Sequence, residues 1–382
     1  MTPERFTARQ TASIVAIAVI AGCVPALQPI LLGGLLAEAR LTAEQIGLAA
    51  TVEALGMAIA ATVAGAFFKP VRLRAIGTAG ALVVAAANAV SVVADATGVI
   101  AARGVNGFAS GILLWLLVGM VTRVAAPGRL FAIYVTLQAT AGFLLSTLYA
   151  AYVVPRFGVS ASYGVLAALG LLLLAPVAMI PRAYAPNPAA ESGGQWPTPG
   201  GAIGLLAVAC YLAGIMAVWV YLVPLGGELG RDAATVGYAI SAAIGVQIIG
   251  GLAATALATR LTGVQANVAG AVGCVAALAL LLGGDSDATF FAGAGLFAFF
   301  WMFVPPFHLP LLMGFDPTHR SAMFIGTAQL IGVSAGPMIA STVVGEGAFG
   351  SAATVAIALF AASAAITLFG AFASARRTVA PA

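Results

Sequence analysis

Twelve apolar runs, each near the length of a bilayer crossing, follow one another along this chain. They span 11–36, 45–67, 75–94, 98–122, 130–152 and 160–180, then 202–225, 233–258, 264–283, 288–314, 321–344 and 351–373. About 20 apolar residues carry a helix through the hydrocarbon core. Backbone polar groups find no water there, so each run must satisfy its own as a helix. Only 7% of the 382 residues are charged, against about 25% in soluble domains. So few charges cannot clothe a water-soluble fold of this size, and most of the surface must face lipid. The chain is therefore predicted to be an all-α integral membrane protein with twelve transmembrane helices. The run from Thr11 to Leu36 is too long for the core of a signal peptide and is predicted as the first span. Thr42-Ala43-Glu44-Gln45 reads as a capping box opening the second. Pro127-Gly128 divides the fourth from the fifth, and Gly283-Gly284-Asp285 the ninth from the tenth.

The stretch from Pro181 to Gly201 holds five prolines and almost no apolar sequence, with six runs on either side. Prolines lack the donor that continues a helix, and polar groups need water. A solvent-exposed linker is predicted here, between an N-terminal six-helix bundle, 1–180, and a C-terminal one, 202–382. The halves repeat weakly. Arg129 and Gln138 in the fifth span lie 191 residues before Arg320 and Gln329 in the eleventh, and Phe157-Gly158 is echoed by Phe349-Gly350. Transporters built from internal repeats leave traces of this kind; chance similarity between two glycine-rich apolar helices is the alternative.

Sidedness follows from the basic residues. With both termini and the linker cytoplasmic, 12 of the 16 lysines and arginines fall inside, leaving Arg40, Arg103, Arg156 and Arg231 outside or in the outer half. The acids Glu38, Glu44, Asp95, Glu228, Asp232, Asp285, Asp287 and Glu346 fall outside. The net charge of +4 does not point to nucleic acid, because the basic residues sit singly at run ends. Cys23, Cys210 and Cys274 lie within apolar runs without metal-ligand spacing, and read as small buried hydrophobes.

Arg103-Gly104-Val105-Asn106-Gly107-Phe108-Ala109-Ser110-Gly111 in the fourth span resembles a signature of the major facilitator superfamily, with Asn106 where that family has Gln. Gly65 and Arg74 match the family's loop after its second helix, but Lys69 replaces the Asp of that motif, so a gate built on the Asp is not expected. Gly332-Val333-Ser334-Ala335-Gly336-Pro337 is similar to the family's antiporter motif but lies in span eleven instead of five, and reads as close helix packing. The resemblance covers essentially the whole length. It implies two pseudo-symmetric six-helix bundles and secondary transport by alternating access.

Within the spans, Arg103 is costly unless it faces a partner or a wet cavity, and Asn106 and Ser110 lie on its helical face. Glu53 is the one acid placed deep in a span, about 12 Å from its start. It reads either as a proton-coupling carboxyl or as the packing partner of Arg103. His308, in Val304-Pro305-Pro306-Phe307-His308-Leu309-Pro310, lies beside prolines that predict a broken tenth helix. Broken helices often line transport sites, but the residue's place near the span end predicts an interfacial position. Gln28, Gln138, Gln247 and Gln329 are uncharged hydrogen-bonders in spans one, five, eight and eleven. Trp115, Trp219, Tyr221 and Trp301 offer stacking surfaces, with Trp219 and Tyr221 near a span end as membrane-belt anchors.

The chain has no nucleotide-binding Gly-x-x-x-x-Gly-Lys-[Ser/Thr] loop, metal-ligand cluster or nucleophile triad. A secondary transporter of a small organic solute, driven by protons and without a cofactor, is the expected function, not an enzyme. It is expected as a monomer in a bacterial inner membrane. A proton-driven exporter of hydrophobic or amphipathic compounds and a non-transporting receptor or scaffold are the alternatives. An importer of organic acids would use Arg103 as its carboxylate site; an exporter would rely on aromatics and Glu53.

Overall fold

The structure is a computed structural model describing residues 6–124, 127–185, 196–316, 318, 320–345 and 348–379. Among them all regular elements are helical. The chain divides into two compact units, Met1–Ser192 and Gly193–Ala382.

In the first unit, the first apolar run is two helices, α1 (Ala8–Gly22) and α2 (Val24–Ala37), broken at Cys23. Pro25 has no amide hydrogen, and the Ala26 amide turns to the Cys23 carbonyl at 3.1 Å. That deprives the Gly22 carbonyl of its helical donor. Gln138 Nε2 donates to it instead, at 2.6 Å. α3 (Ala43–Phe67) opens with the predicted capping box, Thr42 and Gln45 each binding the other's backbone amide. α4 (Leu73–Val93) and α5 (Ala96–Val121) follow, then α6 (Pro127–Leu148), one π-helical turn, α7 (Val154–Leu172) and α8 (Leu174–Val177).

Helical structure runs 49 residues from Arg129 to Val177, about 73 Å at 1.5 Å per residue and more than twice the hydrocarbon core. It is not one crossing. Gly158 has a left-handed φ of 74°, which glycine adopts without penalty. Tyr149 Oη reaches the carbonyl of Ser162 at 3.2 Å, whereas 13 residues of straight helix would separate the two by about 20 Å. The chain therefore doubles back, giving spans five and six.

The predicted linker is not wholly exposed. Its first residues lie antiparallel to the loop between α3 and α4: Tyr184 N donates to Pro70 O at 2.8 Å and Leu73 N to Arg182 O at 2.9 Å. The Tyr184 side chain is buried. Its hydroxyl donates to Leu116 O at 2.7 Å, and the Arg123 guanidinium lies over its ring. An aromatic body with a polar tip suits this site, and that overrides the local proline signal. Residues 186–195 lie outside the described residues.

In the second unit, α9 (Pro199–Trp219) starts inside the predicted linker, because Thr198 accepts from Gly201 N as an N-cap and Pro199 sits in the first turn. α10 (Leu222–Glu228), α11 (Ala233–Leu257) and α12 (Gly263–Gly283) follow. The tenth run breaks as its prolines predict: α13 (Asp287–Phe303) and α14 (Pro305–Phe315) meet at 45°. Pro305 and Pro306 remove the amides that would bind the carbonyls of Trp301 and Met302. A 3₁₀ turn, Arg320–Phe324, leads to α15 (Ile325–Ser341), and α16 (Gly350–Val379) ends the unit. Gly332 and Gly336 press on the Ala209 and Ala213 carbonyls of α9, so the fragment in span eleven serves packing. Asp316 ties the turn together, accepting from the amides of Thr318 (3.1 Å) and Ser321 (2.8 Å) and from the Thr318 hydroxyl at 2.6 Å.

Among the described residues, nine helical stretches have the length and apolarity of a membrane span, or ten with the bent α13–α14 pair. The reversal at Gly158 makes two crossings of one stretch, and α15 at 17 residues adds another, giving the expected twelve. Large apolar side chains are exposed on outward faces, such as Leu252 at 67% and Phe369 at 62%. In water that surface would be a liability; it marks a multi-pass membrane protein.

Both units close alike at the end away from the linker. In the first, Glu38 Oε1 accepts from Val159 N at 2.8 Å, and Arg40 Nη2 donates to the carbonyls of Ser91 (2.9 Å) and Ala94 (2.8 Å) at the end of α4. In the second, Glu228 Oε2 accepts from Gly350 N at 3.1 Å, and Arg231 Nη2 donates to Gly284 O at 2.8 Å, at the end of α12. Carboxylates sit on helix N-termini and guanidinium groups on C-termini, as the helix dipole favours.

Candidate functional site

α3 and α5 run parallel and touch backbone to backbone. A Cβ on Gly107 would fall on the Glu53 carbonyl oxygen, and one on Gly111 would come within 2.5 Å of the Met57 carbonyl. Gly107 and Gly111 are four residues apart, the spacing that lets membrane helices approach closely. This seam sets Glu53 on α3 against Arg103 and Asn106 on α5.

All three are buried, Glu53 and Arg103 at 1% exposure each. Asn106 Nδ2 donates to Glu53 Oε1 at 2.7 Å, Arg103 Nη1 to the same oxygen at 3.4 Å, and Gln28 Nε2 to Oε2 at 3.0 Å. Arg103 Nη2 donates to Asn88 Oδ1 at 3.0 Å and to Ser91 Oγ at 2.8 Å. Asn88 Nδ2 in turn donates to Asn106 Oδ1 at 2.9 Å. The guanidinium carbon lies 4.8 Å from the centroid of the Tyr163 ring. Five helices, α2, α3, α4, α5 and α7, thus converge on one ion pair. Removing one partner of such a pair costs about 3–5 kcal/mol, because the other charge is left buried.

The other expected residues are dispersed. Ser110 lies one turn beyond Asn106, buried, with no hydrogen-bond partner for its hydroxyl among the described residues. Gln138 serves the break between α1 and α2 instead of the ion pair. In the second unit Gln247 is buried on α11, and its Nε2 has no hydrogen-bond partner among the described residues. His308 is fully buried, which corrects the expected interfacial position. The bend at Val304 carries α14 into the packed unit, where Tyr211 meets the imidazole edge-on with centroids 5.7 Å apart. Gln329 Nε2 lies 3.4 Å from His308 Nδ1. With the ring protonated on Nε2, Nδ1 accepts from that amide. That Nε2 has no partner among the described residues.

Trp219 and Tyr221 are also fully buried and are not belt anchors; Trp219 packs edge-on against half-buried Trp301, centroids 5.0 Å apart. Cys23 and Cys274 are buried as expected, and Cys210 is half-buried.

The sequence reading missed Asn88, Ser91 and Tyr163 around Arg103. In the second unit it missed Asn267, which donates to Ser363 Oγ (3.0 Å) and Thr367 Oγ1 (2.8 Å). The signal was present: a lone Asn inside an apolar run is as costly as the glutamines that were singled out.

No protein-family profile matches the chain, and no curated protein matches it in sequence. In structure it is similar to a crystal structure of a point mutant of the nucleoside transporter NupG, with a TM-score of 0.72 at 12% identity. The match covers 96% of this chain and 99% of that one. The likeness shows the fold, the major facilitator fold that the sequence motifs resemble.

Proposed function

We propose that this protein is a secondary transporter of a small organic solute, coupled to protons and working by alternating access. The observation that carries the reading is Glu53, a carboxylate in the middle of a span, held by one cation and two amides in a web reaching five helices. A charge that costly is retained where it does work. Glu53 takes and releases the driving proton, and Arg103 is the cation that senses its charge. The likeness in fold to a nucleoside transporter supports the transport class. The units move as two bodies joined by the strip 181–201. Both termini and that strip face the cytoplasm of a bacterial inner membrane, and the monomer is the working unit.

The test is uptake into proteoliposomes under an imposed pH gradient, with uridine and a small-molecule cell extract outside and the lumen read by mass spectrometry. Concentration of one or more solutes, lost on adding a protonophore, is expected. If nothing is concentrated, the transport reading is wrong. A periplasmic reporter fused after Gln195 should be inactive; an active one refutes the orientation.

A further inference from the structure

We infer that the substrate is an uncharged polar molecule, and that Arg103 is not a binding site for a carboxylate. This rests on the transport reading above and narrows it. A charged substrate entering a low-dielectric interior needs a fixed opposite charge not already spent. Among the described residues, the buried formal charges are Glu53, Arg103 and Asp316. Asp316 lies beyond the end of α14 and is taken by Thr318 and Ser321. The other two neutralise each other.

Arg103 is also geometrically engaged. Nη1 serves Glu53, Nη2 serves Asn88 and Ser91, and the plane lies over Tyr163. To reach an anion it would abandon a buried carboxylate, which is strongly unfavourable. Protonating Glu53 does not release it either, because the Asn88, Ser91 and Tyr163 contacts remain. The proton can be housed inside the web. Gln28 already touches Glu53 Oε2, and its own Oε1 is a buried acceptor with no partner among the described residues. Turning that amide over places Oε1 to accept from a protonated Oε2. The proton is thus housed within the web, and Arg103 stays on Asn88, Ser91 and the Tyr163 ring in both protonation states.

Among the described residues, apart from Arg103 Nε, the buried hydrogen-bonding atoms without a partner within the spans are neutral. They include Ser110 Oγ and Tyr163 Oη in the first unit, and Gln247 Nε2, Asn267 Oδ1 and His308 Nε2 in the second. Amide, imidazole and hydroxyl groups recognise carbonyls, ring nitrogens and hydroxyls. A neutral solute moved with one proton carries one net positive charge per cycle, so its transport responds to membrane potential.

The test uses the full chain in proteoliposomes under a pH gradient. A small-molecule extract is divided by ion exchange into neutral, anionic and cationic fractions, with uridine added to the first and benzoate to the second. Concentration of solutes from the neutral fraction is expected, enhanced by an inside-negative potential when the gradient drives inward symport. The substitution Gln247→Leu should raise the KM for the accumulated solute about tenfold, the loss of one buried hydrogen bond, while leaving its response to the pH gradient intact. Concentration from the anionic or cationic fraction overturns the inference and leaves transport standing. Concentration from no fraction removes the transport reading, and the inference with it.

Discussion

Glu53→Gln separates the coupling role of the carboxyl from its packing role. The substituted amide is nearly isosteric. Its oxygen can keep the bond from Asn106 at the Oε1 position, which is 2.7 Å in the wild type. Its new NH₂ would meet the Gln28 amide donor-to-donor, but Gln28 can turn over and present its unpartnered Oε1. Arg103 loses its counter-charge and keeps Asn88, Ser91 and the Tyr163 face. The expected destabilisation is therefore about 2 kcal/mol, below the 3–5 kcal/mol of an ion pair stripped of one partner. Glu53→Leu should cost the full amount, since it also strands the donors of Asn106 and Gln28. Thermal unfolding in detergent compares the two. In proteoliposomes, Glu53→Gln should exchange labelled for unlabelled substrate at near wild-type rates and fail to concentrate it when a pH difference is imposed. Concentration by Glu53→Gln in response to that difference would refute the coupling role. A Glu53→Gln protein as unstable as Glu53→Leu would refute the turning of Gln28.

Three further outcomes are expected. Gly107→Ala drives a methyl into the Glu53 carbonyl and should cost about 1–3 kcal/mol of overpacking; since it parts Glu53 from Asn106, counterflow should fall as well, and an unchanged melting temperature would contradict the seam. Asp316 is buried, which raises its carboxyl, but the hydrogen bonds from Thr318 and Ser321 outweigh burial and hold it well below its ordinary value of 3.8. Its folded-state value is thus the lower one, so its stabilisation is fully present above pH 3.8 and lost as the pH falls toward the folded value. The melting difference between wild type and Asp316→Asn should stay level from neutral pH to about pH 5 and shrink below that, and a difference growing on acidification would reverse the assignment. Gln138→Leu leaves the Gly22 carbonyl without its donor and should destabilise by about 1–3 kcal/mol while sparing the response to the pH gradient; loss of that response with stability intact would move Gln138 into the coupling machinery.

What the sequence made legible is what the bilayer dictates. Run length and the scarcity of charge marked twelve spans, and the prolines at 305, 306 and 310 marked the broken tenth. The pairing of Glu53 with Arg103 was available as one of two readings, because two isolated charges at similar depth have few other partners. Burial of side chains near span ends was not legible. His308, Trp219 and Tyr221 look interfacial when depth is counted along a straight helix, yet breaks at Val304 and between Trp219 and Leu222 turn them into the packed interior. Tyr184 was missed for the opposite reason. Its proline-rich surroundings signal exposure, while its docking depends on the end of α5, more than 60 residues away in sequence.

The internal repeat persists where helix ends must be closed and lapses where polar groups are buried. Glu38 and Glu228, 190 residues apart, each cap a helix N-terminus, and Arg40 and Arg231, 191 apart, each cap a C-terminus. A helix end presents the same unsatisfied groups in either unit, so the same residues remain useful. Inside, the counterparts have parted. Gln138 serves a backbone carbonyl, whereas Gln329 serves an imidazole. Among the described residues, the buried ion pair within the spans is that of Glu53 and Arg103 in the first unit, and within the spans of the second the shared hydrogen bonds join uncharged side chains, as Asn267 does with Ser363 and Thr367. A buried polar group destabilises unless it is paired, so each unit's interior must find its own partners. Under the proposed function, proton chemistry falls to the Glu53–Arg103 pair of the first unit, and recognition of a neutral solute draws on groups such as Gln247 of the second.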